Sequence, residues 1–418
     1  MRELKRAVVT GLGVVSPLGN SVEEFWNALK QGKSAAAPIT KFDCSQFKTR
    51  FACEVKNFDP SMFMDTKEAR SLDLYSQYAM AAAVQAFNDS GLKDAQDDPF
   101  RRGVVFASGV GGLLTLQEEI SKYALSGKKP RYSPFMIPKM IANIAAGHIA
   151  VKFDFRGANY GTVSACASSS HALIDALNLI RLGVVDVIIT GGSEAPVNDT
   201  GLGGFCALRA LSERNDDPAT ASRPFDRDRD GFVLGEGSAA LVIESLDHAR
   251  KRGARVYAEV AGGGMTADAY HTTLPHPDGR SVEKAMETAL NDSAINPGEV
   301  DYINLHATST PAGDGPELGA VQRLFKNSLD KLHVSGTKSM TGHLLGGAGA
   351  LEAAATILSI FNNTIPPTIN TVNLDPALDI KVDITLGKAV EKQMNVAMSN
   401  TFGFGGQNAS TVFKRINS

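Results

Sequence analysis

Short apolar runs rich in β-branched residues alternate with longer stretches of helical period along the whole chain. Ala7 to Thr10, Val104 to Ala107, Tyr160 to Ser164 and Val185 to Thr190 read as buried strands, and Ser71 to Gly91 and Ser168 to Leu182 as helices. Continuous apolar strands separated by helices predict an α/β layout with crossover connections. A second cycle follows, with strands at Tyr257 to Ala261, Tyr302 to Leu305, Leu332 to Ser335 and Asn395 to Ser399, and helices at Ser281 to Asn291, Gly315 to Phe325 and Leu345 to Phe361. The segments around Cys166 and His343 share one plan of strand, small polar turn and alanine-rich helix. Two α/β halves of similar topology are therefore predicted, residues 1–255 and 256–418, with no low-complexity linker between them.

Composition narrows the classes of function. The 418 residues are 43% hydrophobic and 21% charged, the profile of a soluble globular chain with a large core. A net charge of −3 supplies no global attraction to nucleic acid or to an anionic membrane, so neither is expected as a partner. No run reads as the roughly 18 apolar residues of a membrane span. Cys44, Cys53, Cys166 and Cys206 match neither a zinc site nor a disulfide framework, which predicts free thiols, no metal and a cytoplasmic location.

The candidate chemistry begins at Cys166, in SACASSS, where a predicted strand passes into a helix. The positive end of a helix favours thiolate, so acylation of this sulfur should need little help from a base. A lone cysteine in such a place is more often a small buried apolar residue. His306 ends a predicted strand in HATST, and His343 closes the turn after Lys338 in KSMTGH. Each histidine alone is as well read as a capping or core group. Three such residues at strand ends of an α/β sheet, the edge where sites are built, point to chemistry. A thiolate can carry an acyl group as a thioester, and two imidazole N–H donors can stabilise an enolate without a metal or other cofactor. Cysteine hydrolases pair one histidine with Asn or Asp, so a second histidine favours carbon–carbon bond formation. Lys338 would add a fixed positive charge, with Glu317 as its expected partner. Phe402 and Phe404 lie in the glycine loop SNTFGFGGQN, where a ring could gate an apolar tunnel. The backbone N–H groups of Cys166 and Phe404 could form a second oxyanion hole.

These segments, with VTGLGVVSPLGN, ASGVGGL, GGSEA, the run LSERNDDPATASRPFDRDRDGFVLGEG and GHLLGGAGALEA, resemble the β-ketoacyl-[acyl-carrier-protein] synthases over essentially the whole chain. These are the elongating condensing enzymes of the thiolase superfamily, and the likeness is greatest to their synthase II branch. The resemblance implies a thiolase-like fold with a layered αβαβα core. It also implies decarboxylative Claisen condensation of an acyl group with malonyl-[acyl-carrier-protein] in type II fatty acid elongation. By the same resemblance Cys166, His306 and His343 are the catalytic triad, Lys338 the supporting lysine, Phe404 the gating residue and Val110 a wall of the acyl tunnel. It implies a homodimer and an acidic acyl carrier protein as partner, met by basic residues at the tunnel mouth. Lys67, Arg70 and Arg209 match the family there, and Lys128, Lys129 and Arg131 are further candidates. A ketosynthase of a polyketide or aryl-polyene pathway, and a non-catalytic acyl-binding protein, remain alternatives.

Overall fold

In the computed structural model of the chain, which describes residues 4–95 and 97–416, eleven strands form one continuous ladder. They are β1 (Ala7–Val15), β2 (Arg102–Ala107), β3 (Asn159–Tyr160), β4 (Val187–Glu194), β5 (Gly237–Ser245), β6 (Ala258–Ala267), β7 (Tyr302–Asn304), β8 (His333–Ser335), β9 (Asp383–Ile384), β10 (Val396–Gly403) and β11 (Gln407–Lys414). Their order is β9-β8-β7-β10-β11-β6-β1-β5-β4-β2-β3.

The ladder is mixed, and its pattern repeats. Outward from the centre, β1 pairs antiparallel with β5 and β5 with β4, while β4, β2 and β3 run parallel. On the other side β6 pairs antiparallel with β11 and β11 with β10, while β10, β7 and β8 run parallel. The two sets meet where Ala7–Val9 of β1 face Ala258–Val260 of β6. Each set is thus the same α/β plan.

Helices α1 (Leu74–Ser90) and α3 (Arg280–Ser293) cover corresponding strands of the two sets, β1 with β5 and β6 with β11. Asp73 caps α1 by accepting from Tyr75 N–H, and Gly91 ends it in the left-handed region at φ +70°. Helices α2 (Ser168–Arg181) and α5 (Ala348–Asn362) pack against each other and against β4 and β10. A Cβ at Gly349 would lie 2.2 Å from Ser170 Oγ, so the small residues that start both helices are what let them approach. The helix α4 (Asp314–Leu324) lies beside α3.

Three expectations need correction. The predicted buried strand at Tyr160 to Ser164 is only the exposed two-residue edge β3, and the chain beyond it turns away from the sheet. The helix predicted at Leu345 to Phe361 starts with a separate 3₁₀ turn, Leu345–Gly347, because Leu345 takes φ +48°. The run 345–362 is also long and apolar enough to cross a membrane. Every residue from Ala348 to Ile360 is buried in the protein, as expected of a core helix.

Candidate active site

Cys166 is presented by a turn rather than by a strand end. Ala165 sits in the left-handed region at φ +49°, a strained conformation for alanine, held because Ser168 N–H and Ser168 Oγ both donate to its carbonyl. Ser168 Oγ also accepts from Ser164 N–H at 2.8 Å, so the serines after the cysteine form the turn themselves. The result is a sulfur two residues ahead of α2 and only 8% exposed.

The second set of strands supplies the imidazoles. His306 follows β7 in a loop where Glu317, on α4, accepts from the N–H groups of His306 and Ala307, each at 2.8 Å. His343 follows a short helix, Lys338–Thr341, and its N–H donates to the Val233 carbonyl at 2.8 Å. His343 Nε2 lies 3.0 Å from Cys166 Sγ. The two rings are 5.3 Å apart at 86°, and ligand atoms of Cys166, His306 and His343 fall within 4.8 Å of one another. Three residues predicted from distant motifs therefore converge in one buried cluster. Its wall is aromatic, with Phe402 against His306 and Phe232 against His343.

The cluster opens into a largely apolar cavity of about 520 Å³, lined by Cys166, both histidines, Val110, Phe402 and Phe404 among others. A volume of this size accommodates a small-molecule chain. Two family models match the chain, the β-ketoacyl synthase N-terminal domain over residues 5–249 and its C-terminal domain over residues 257–372. The chain belongs to the β-ketoacyl synthase family. It is 47% identical to a 3-oxoacyl-[acyl-carrier-protein] synthase 2 of Coxiella burnetii over 99% of both chains, and 44% identical to one of Staphylococcus aureus over the same share. Among solved structures it resembles a β-ketoacyl synthase from Burkholderia phymatum, at 34% identity and a TM-score of 0.91 over 99% of this chain and 100% of that one. The same TM-score and coverage, at 32% identity, relate it to a type II polyketide ketosynthase in complex with its acyl carrier protein, bound to the hexaketide.

Electrostatics of this synthase site differ from the sequence reading in one respect. Burial pushes the Cys166 thiol up to about 11, although Lys338 and the N–H groups of Phe404 and Cys166 pull it back down. The helix terminus does not prevail over desolvation, so the resting group is a thiol. Burial, with Lys338 assisting, holds both imidazoles well below the ordinary histidine value, so both are neutral. Neither Nδ1 finds a hydrogen-bond partner among the described residues, which leaves the tautomer of each ring free to change.

Lys338 is 1% exposed and pairs with Glu352 of α5, not with Glu317. Glu317 instead holds the His306 loop by accepting two N–H donors, and burial pushes it up to about 7 although those bonds pull it down. Sequence reasoning missed Glu352. A single acid in the otherwise apolar run ALEAAATIL was the available signal, since such a residue needs a partner. It also passed over Glu194, at the end of β4. Of the six basic candidates, Arg209 lines the cavity. Lys67, Arg70, Lys128, Lys129 and Arg131 are exposed but do not line it.

Proposed function

We propose that the chain is an elongating 3-oxoacyl-[acyl-carrier-protein] synthase in which Cys166 carries the acyl group and His306 and His343 stabilise the malonyl-derived enolate. The observation that carries this reading is the Cys166 thiol 3.0 Å from one neutral imidazole and facing a second, at the base of an apolar cavity. In the first half-reaction, His343 Nε2 takes the thiol proton as sulfur attacks the acyl thioester, then returns it to the leaving carrier thiolate. In the second, malonyl-carrier loses CO₂, and N–H donors of the two neutral rings hold the enolate oxygen. The enolate carbon attacks the Cys166 thioester while the N–H groups of Phe404 and Cys166 face the new oxyanion. That attack forms the carbon–carbon bond, and collapse of the oxyanion breaks the carbon–sulfur bond and returns Cys166 as thiolate, which takes up one proton. Burial keeps both rings neutral, and the charge of Lys338, tied to Glu352, assists.

Residues 1–255 would bring the nucleophile and 256–418 the histidines, a division supported by the repeated strand pattern. Val110 lines the cavity yet is 48% exposed in the single chain, and the edge strand β3 has no partner on its outer side among the described residues. Both support a second copy of the chain closing the acyl end of the cavity. Phe404, in a glycine loop with Gly405 at φ +81°, would gate the cavity. Arg209 is the best supported contact for an acidic carrier protein, with Lys67, Arg70, Lys128, Lys129 and Arg131 as outlying candidates. Four free cysteines among the described residues support a reducing cytoplasm. The fatty acid reading is favoured over a polyketide one by the higher identity to the synthases, 47% against 32%.

The deciding experiment incubates the protein with acyl-carrier protein and weighs the peptide containing Cys166. A thioester there, and no condensation by a folded Cys166→Ala variant, are the expected results. Turnover near the wild-type rate in that variant would remove Cys166 from the mechanism.

A further inference from the structure

Glu194 is 1% exposed, ends β4, and has no part in the chemistry above. Its carboxylate gathers four donors from two loops. Oε1 accepts from Ser108 Oγ at 2.8 Å and from Val110 N–H at 3.1 Å; Oε2 accepts from Gly109 N–H at 2.7 Å and from Gly346 N–H at 3.0 Å. Three of these are backbone N–H groups that can only donate, an arrangement that favours the carboxylate. Burial raises the group above the usual carboxylate value, and these four hydrogen bonds pull it back down.

The two loops are those that matter for an acyl chain. Gly109 and Val110 line the cavity, and Gly346 lies three residues beyond His343, across the strained Leu345. The loops approach so closely that a Cβ at Gly346 would meet Gly109 N at 2.2 Å and Glu194 Oε2 at 2.7 Å. Strain of the Leu345 kind persists only where the surroundings over-determine it. Among the described residues, the carboxylate is the one side chain bonded to both sides of the contact.

We propose that Glu194 is a positioning residue that ties the acyl-facing wall at Gly109 and Val110 to the turn behind His343, so that one carboxylate governs both acyl-chain fit and the setting of the reactive pair. The inference rests on Cys166 being the acylated residue. Loss of the carboxylate frees Val110 to move and removes an anion that opposes ionisation of the Cys166 thiol.

Glu194→Gln tests both consequences. An amide NH₂ cannot accept, so at least one backbone N–H loses its partner. The ratio of kcat/KM between long and short acyl-carrier substrates should change about tenfold, the scale of one buried acceptor lost. The midpoint of the iodoacetamide alkylation profile of Cys166 should move to lower pH. Ser108→Ala keeps the charge but removes one donor, and should change the chain-length ratio without moving that midpoint. A folded Glu194→Gln protein that slows equally on every chain length and keeps its alkylation midpoint overturns the proposal. If Glu194→Gln does not fold, an unchanged length ratio in Ser108→Ala overturns it, and a changed one supports it. Absence of any thioester on wild-type Cys166 would instead defeat the acyl-carrier reading, while the alkylation profile would still report on Glu194.

Discussion

Replacing His343 with alanine should slow loading of the acyl group onto Cys166 far more than replacing His306 does. The magnitude follows from the thiol. At about pH 7.5, a thiol pushed up to about 11 is ionised in roughly one molecule in 3,000, against about one in ten for an ordinary cysteine. A base must therefore take the proton as sulfur attacks, and the imidazole at 3.0 Å is His343. General-base assistance of this kind contributes about 10² to 10⁴ in rate, which is the loss expected in His343→Ala. His306→Ala removes the ring farther from sulfur, so its main effect should be on CO₂ release from malonyl-carrier protein, about 10²-fold, the scale of one oxyanion donor. The assay measures single-turnover thioester formation and CO₂ release side by side in both variants, with thermal melts to exclude unfolding. A companion experiment follows iodoacetamide alkylation of the wild-type thiol against pH, which should still be rising beyond about pH 9. Loading at the wild-type rate in His343→Ala, or an alkylation plateau below about pH 8, would refute the reasoning.

Lys338→Met leaves Glu352 buried without its cation and should destabilise the fold by about 3–5 kcal/mol in urea unfolding, with most of the loss recovered in Lys338→Met/Glu352→Gln. Burial raises the Glu352 carboxyl above its unfolded value, so the native variant holds a proton that the unfolded chain releases, and the loss should be larger at pH 8 than at pH 5. An identical loss at both pH values would contradict that pairing. His248, bonded to Glu244 and Asp97, is raised above the usual histidine value, so its contribution is full on the acid side and fades as pH rises through the folded value. His248→Gln should therefore cost more stability at pH 6 than at pH 8.5; the reverse order in thermal melts would count against the ion pair. Arg209→Glu should raise KM for carrier-bound substrates more than for small thioester analogues, because a rim charge acts on docking, and equal effects would remove it from the carrier contact.

The sequence by itself determined the class of fold and singled out the groups proposed to react. Periodicity gave most strands of the large sheet and the five helices α1 to α5, because buried parallel strands read as apolar runs and these helices keep a regular period, but it passed over others such as Leu113–Leu125 and Ile144–Phe153. The repeated plan around Cys166 and His343 led to the proposal of two like halves, and the motifs supplied the proposed nucleophile and imidazoles, which the fold brings into one cluster. Only the tertiary structure decided which groups touch. Lys338 meets Glu352, fourteen residues on and one helix away, rather than Glu317, because the Glu317 carboxylate is already taken by two backbone N–H groups. The ionisation of Cys166 followed its burial rather than its place near a helix start, since desolvation depends on what the fold packs around the sulfur. Strand pairing at Tyr160 to Ser164 failed because left-handed Ala165 and its serine hydrogen bonds take the chain out of the sheet, an effect of local turn geometry that apolar patterning does not encode. Glu194 was unreadable for a related reason. Its four donors come from residues 108–110 and 346, and only folding brings those loops to one carboxylate.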